Sequence, residues 1–80
     1  MSLTGHHAVV TGAGSGIGRA TAERLAAAGC RVTLIGRHVA RLTETADRLG
    51  DLAFSAPADV TDPDMLAAAR RRAGDVDWVL

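Results

Sequence analysis

Tyrosine and lysine are absent from this sequence, and each of its nine basic side chains is an arginine. A reaction that needs a phenol or a primary amine to carry its proton cannot be run by these residues alone. A single cysteine, Cys30, excludes an internal disulfide and fits a reducing, cytoplasmic compartment. At the head of an apolar run, it reads as a small buried hydrophobe. No stretch approaches the roughly 20 apolar residues that cross a bilayer. Residues 1–7 have neither the basic start nor the apolar core of a secretory signal. The formal net charge is zero, so nothing points to nucleic acid or an acidic membrane surface as a partner.

What is present is globular: 48% apolar and 22% charged residues, with no low-complexity tract, internal repeat or domain boundary. Eighty residues make about one small domain, and a chain this short buries only about 60% of its unfolded surface, so its stability alone is marginal. Residues 6–11 carry the continuous run Ala8-Val9-Val10, the pattern of a strand buried on both faces. Beyond the glycines at 12, 14, 16 and 18 the period changes. Ala22, Leu25, Ala26 and Gly29 form one helical stripe from about Ile17, with Gly29 as the stop. Residues 31–36 form a second strand, rich in branched side chains. Val39, Leu42, Ala46 and Leu49 mark the inward face of a second helix closed by Gly50. Residues 52–55 are a weak third strand. Asp62 followed by Pro63 begins a third helix running to about Ala73, with Leu66, Ala69 and Ala73 inward. Residues 77–80 begin a fourth strand, an exposed edge carrying Trp78, and the sequence stops inside it.

Strands alternating with helices predict an α/β fold with a parallel sheet. Right-handed crossovers then give the strand order 3-2-1-4 of a Rossmann-like, doubly wound sheet. The segment Thr11-Gly12-Ala13-Gly14-Ser15-Gly16-Ile17-Gly18 lies between the first strand and the first helix, where glycines let the backbone turn tightly and approach a pyrophosphate. Free N–H groups at the helix start, with the helix dipole behind them, hold such an anion. Gly12-Ala13-Gly14-Ser15-Gly16 also matches the G-x-G-x-G turn of S-adenosylmethionine-dependent methyltransferases. Those enzymes expect an acidic residue after the second strand, where Gly36-Arg37 supplies none. The strict G-x-G-x-x-G spacing is not met, because Ile17 and Arg19 stand where it needs glycine.

The spacing that fits is T-G-x-x-x-G-[IL]-G. With Leu3-x-Gly5 before it, Gly36-Arg37 after the second strand and Ala58-Asp59-Val60-Thr61 after the third, the whole chain resembles the N-terminal portion of the short-chain dehydrogenase/reductase family. The resemblance implies a pyrophosphate and ribose turn made by Gly12, Ser15, Gly16, Ile17 and Gly18. It places Asp59 and Val60 beside an adenine ring, the Asp59 carboxylate near the exocyclic amine. A plainer role for Asp59 is to cap the loop before Asp62. Versions that bind NAD put a carboxylate at the end of the second strand for the ribose 2′-hydroxyl. Here Gly36 removes that charge and Arg37 offers a forked cation for a 2′-phosphate, so NADP(H) is the expected cofactor in preference to NAD. Arg19 could add to the phosphate field.

The family's catalytic groups are, by resemblance, an Asn-Asn-Ala-Gly turn after the fourth strand, a Ser, and a Tyr-x-x-x-Lys pair. The sequence ends where the first of these should begin, so no residue here receives a catalytic role, and the 80 residues read as an N-terminal NAD(P)-binding region of a longer, cytoplasmic, hydride-transferring enzyme (EC 1.1.1.-). They are expected to be inactive alone. The parent enzyme could be a homo-oligomer, and a non-catalytic nucleotide-binding module is the other reading. His6-His7 reads as a solvated strand entry rather than a metal site, since adjacent strand residues face opposite ways. Arg70-Arg71-Arg72 reads as a solvated helix face near a C-terminus that favours cations.

Overall fold

Four consecutive buried residues at 7–10 cannot alternate between core and water, so the first strand must be covered on both faces. The structure, a computed structural model, describes residues 2–14, 16–59 and 61–80 and shows that cover. Its elements are β1 (His7–Thr11), α1 (Gly16–Ala27), β2 (Arg31–Gly36), α2 (Val39–Leu49), β3 (Ala53–Pro57), α3 (Pro63–Ala73) and β4 (Trp78–Val79), with a 3-10 turn over Gly50–Leu52. All pairings are parallel and the order is β3-β2-β1-β4, as right-handed crossovers require. This is the doubly wound, Rossmann-type sheet the sequence implies.

Alternation along each strand divides the core in two. Val10, Val32 and Leu34 pack with Ala22 of α1 and Leu42 of α2 on one face. Val9, Ile35 and Ala56 pack with Ala69 and Ala73 of α3 on the other. Leu34, Ile35 and Leu42 are fully buried, worth about 1.5–3 kcal/mol each. The chain leaves β1 towards β2 and β3, then crosses back to β4 on the opposite side, so the topological switch point lies at β1 and β4. Ligands of such sheets sit outside the carboxyl ends of the strands at that point.

The helix ends follow their sequence signals. Asp62 Oδ1 accepts from the N–H groups of Asp64 (3.0 Å) and Met65 (3.2 Å), with Pro63 opening α3. Gly50, at φ 76°, closes α2. The arginines at 70–72 are exposed, and β4 is a short, exposed edge on which Trp78 lies 5.0 Å from the His6 ring.

Three expectations need correction. The third strand runs Ala53–Pro57 rather than 52–55: Pro57 sits at the end of an edge strand, where its missing N–H costs no ladder bond. Val39 is not inward but 56% exposed, because α2 turns towards the sheet only from Leu42 onward.

The third correction is His7, which is buried rather than solvated. Its Nδ1 lies 2.9 Å from the Asp75 carbonyl, which can only accept, so Nδ1 carries a hydrogen. In the neutral ring, Nε2 then accepts from the Thr33 hydroxyl at 2.7 Å. The His7 amide also donates to Asp77 Oδ2 at 2.8 Å. One side chain thus ties β1, β2 and the loop into β4 at the edge opposite the strands' carboxyl ends. His7→Phe would keep the ring but strand the fully buried Thr33 hydroxyl. Because an unpartnered buried polar group costs about 1–3 kcal/mol, urea unfolding should show a loss of about that size. A loss under about 0.5 kcal/mol, the level of an ordinary surface change, would remove this role.

Candidate functional site

Where β1 ends, the backbone must fold back over itself, and the glycines divide that work. Gly12 and Gly16 adopt φ 64° and 62°, the left-handed region in which a Cβ is strained. Gly18 answers to a close approach instead. A Cβ there would stand 2.3 Å from the Gly12 carbonyl oxygen and 3.0 Å from that of Thr11. The first turn of α1 therefore rests directly on the exit of β1. Ala13, fully buried, bonds from its N–H to the Ile35 carbonyl at 3.3 Å and ties the turn to β2. The Thr11 N–H and hydroxyl both donate to the Leu80 carbonyl (2.8 and 2.9 Å), which ties the end of β1 to the residue after β4.

The first turn of α1 contains no acidic side chain to offset the positive end of the helix dipole. Ile17, in that turn, is 87% exposed, an aliphatic side chain left in water by its own fold. Ser15 lies outside the described residues. Arg19 does not reach towards this turn's anion field. Its Nε pairs with Glu23 Oε1 at 3.3 Å along the helix.

Facing the turn across the carboxyl edge is a cleft lined by Gly12, Gly14, Gly36, Arg37, His38, Arg41, Leu42 and Ala58. Two arginines and a histidine line it and no carboxylate does. Among the described residues neither Arg37 nor Arg41 makes an ion pair. Gly36 is close-packed: a Cβ there would lie 3.3 Å from Leu42 Cδ2.

A second hollow adjoins the first, lined by Arg37, Val39, Pro57, Ala58, Asp59 and Met65. Exposed Val39 and Met65 give it apolar walls. Asp59 Oδ1 accepts from the Thr61 hydroxyl (2.6 Å) and N–H (2.9 Å), so the capping role weighed for it is present. These two bonds, with a smaller contribution from the Arg37 charge, hold the Asp59 carboxyl below the usual carboxylate range. Val60 lies outside the described residues.

The structure therefore brings Gly12 and Arg37 into one cleft and Arg37 and Asp59 into the next. Gly16, Ile17 and Gly18 line neither hollow and stand at the start of α1. Sequence reasoning missed His38, Arg41, Val39 and Met65. Arg41 left one legible signal, its position one helical turn beyond Arg37.

A glycine turn at the switch point of a doubly wound sheet, facing a cationic cleft beyond the carboxyl ends of β2 and β3, defines a Rossmann-type nucleotide-binding region. Residues 6–79 match the family described as short chain dehydrogenase, and the chain belongs to the short-chain dehydrogenase/reductase family. It is 46% identical over 72 residues to galactitol 2-dehydrogenase (L-tagatose-forming) of Cereibacter sphaeroides, covering 89% of this chain and 28% of that protein. It is 44% identical over 77 residues to an oxidoreductase of Staphylococcus epidermidis, covering 91% and 34%. Among solved structures it superposes on the NADH complex of 3-ketoacyl-(acyl-carrier-protein) reductase from Brucella melitensis with a TM-score of 0.93, at 36% identity over 98% of this chain and 34% of that one. L-Sorbose reductase from Gluconobacter frateurii, complexed with NADPH and L-sorbose, gives 0.91 at 33% identity, covering 99% and 33%. The chain spans about a third of the length of the first curated relatives it matches. The family match displaces the methyltransferase reading.

Proposed function

We propose that residues 1–80 form the NADP(H)-binding region of an oxidoreductase that interconverts an alcohol and a carbonyl compound. The observation that carries this reading is the carboxylate-free cleft holding Arg37 beside the glycine turn. Gly12, Gly16 and Gly18, with Ser15 and Ile17, would hold the pyrophosphate and neighbouring ribose through main-chain N–H groups. The fit is steric as well as electrostatic, because the turn is packed backbone to backbone at Gly18 and leaves its outer side open. Arg37 would pair with the 2′-phosphate. Asp59 and Val60 would border the adenine, with the Asp59 carboxylate near its exocyclic amine. When bound, NADP(H) supplies the hydride chemistry.

The acid or base for the carbonyl oxygen is a separate matter. With no Tyr or Lys in the sequence, we assign it to residues other than these 80, which alone should be inactive. A reducing, cytoplasmic setting suits the single buried thiol of Cys30, whose pKa burial pushes up, away from the reactive thiolate.

Calorimetric titration of the folded protein tests the cofactor reading. NADPH should bind, and more tightly than NADH. Failure of both nucleotides to bind, or tighter binding of NADH, would overturn it.

A further inference from the structure

We propose that Arg41 is a second cationic determinant of cofactor choice, holding the 2′-phosphate together with Arg37. The inference rests on the NADP(H) reading above and adds to it a residue that the sequence pattern had not singled out.

Gly14 is the starting point. It is not one of the glycines of the T-G-x-x-x-G-[IL]-G spacing, and its backbone is not left-handed. A Cβ built on it would meet Arg41 Cβ at 3.1 Å and Arg41 Cδ at 3.9 Å. What the missing side chain provides is room for the stem of Arg41, which lies against the turn after β1 although it belongs to α2. That contact fixes where the arginine leaves the helix, and both residues line the same cleft.

Charge points the same way. Arg37 enters the cleft from the end of β2 and Arg41 from the first turn of α2, so the two guanidinium groups belong to different elements. Among the described residues neither forms an ion pair, and the carboxylate that feels the Arg37 charge, Asp59, is engaged with Thr61. The first turn of α2 carries no acidic residue, and His38 at its N-cap makes no side-chain cap bond, so the helix dipole adds to the same field. Two unpaired guanidinium groups, each carrying forked donors, are more than a ribose hydroxyl can use. They suit a dianionic phosphomonoester, which offers three acceptor oxygens.

The binding of NADPH and NADH to wild type, Arg41→Ala and Arg41→Lys decides the matter. Alanine keeps the Cβ that packs against Gly14 and removes the cation with the rest of its stem, whereas lysine keeps both a stem and a positive charge. Arg41→Ala should lower the NADPH:NADH affinity ratio at least tenfold and flatten the salt dependence of NADPH binding. Arg41→Lys should recover part of both. An unchanged ratio in Arg41→Ala, in a wild type that prefers NADPH, overturns the role of Arg41 and leaves the cofactor reading standing. A wild type that binds neither nucleotide, or shows no preference, overturns both.

Discussion

Gly18→Ala should be the most damaging single-methyl change in the molecule, reducing stability by about 3 kcal/mol or more and abolishing measurable NADPH binding. The added carbon would stand 2.3 Å from the Gly12 carbonyl oxygen, 2.7 Å from its carbon and 3.0 Å from the Thr11 oxygen. All three are main-chain atoms, which cannot rotate aside as a side chain can. Overpacking in a well-packed region typically costs about 1–3 kcal/mol even where side chains can adjust, and here the whole of α1 would have to lift from β1. Because that shift also spreads the glycine turn, nucleotide affinity should fall together with stability.

Gly16→Ala is the control. At φ 62° with nothing within 4 Å of its Cβ position, it should lose only about 1–2 kcal/mol of left-handed strain. Urea unfolding followed by circular dichroism orders the two. For a domain of this size a loss of 3 kcal/mol corresponds to roughly 12–24 °C in Tm. If Gly18→Ala were as stable as Gly16→Ala and bound NADPH normally, the close crossing of α1 over β1 would not exist.

That crossing shows how far the sequence could be read. Its consequence, a run of glycines between a strand and a helix, is visible as spacing, because a backbone contact leaves only one residue type acceptable. The same holds for Asp62-Pro63, where capping chemistry is local, and for the sheet order, which follows from alternation and crossover handedness. What escaped depends on neighbours distant in sequence. His7 is buried because Thr33 and the Asp75 carbonyl, 26 and 68 residues away, satisfy both ring nitrogens. Without that knowledge, paired histidines at a strand entry read as solvated. Val39 keeps the helical period of α2, yet it faces a hollow made by Met65 and Pro57, since a stripe gives an angle and not what lies opposite. Arg41 is an ordinary helix-surface arginine until the space above Gly14 is seen.

Replacing Arg37 by Asp should reverse the cofactor preference. Loss of a charge-assisted contact to the phosphate removes about 1.5–3 kcal/mol of NADPH binding, and the new carboxylate adds repulsion of a dianion in the same cleft. Together these predict a fall in the NADPH:NADH ratio of roughly two to three orders of magnitude, at about 1.4 kcal/mol per tenfold. Affinity for NADH should be kept or improved, because a carboxylate accepts from the ribose 2′-hydroxyl that NADH presents. Position 37 is also the safer place for the acid. Arg37 is exposed, whereas a side chain at Gly36 would press on fully buried Leu42 at 3.3 Å, so Gly36→Asp would mix a packing loss with the change in charge. The ratio of kcat/KM for the two cofactors in the full enzyme, or of Kd where only binding is followed, reads the effect. Salt supplies an independent check: NADPH binding by wild type should weaken as ionic strength rises, and that dependence should shrink in Arg37→Asp. An unchanged ratio would mean that Arg37 merely solvates the start of α2 and that the 2′-phosphate, if bound, is held elsewhere.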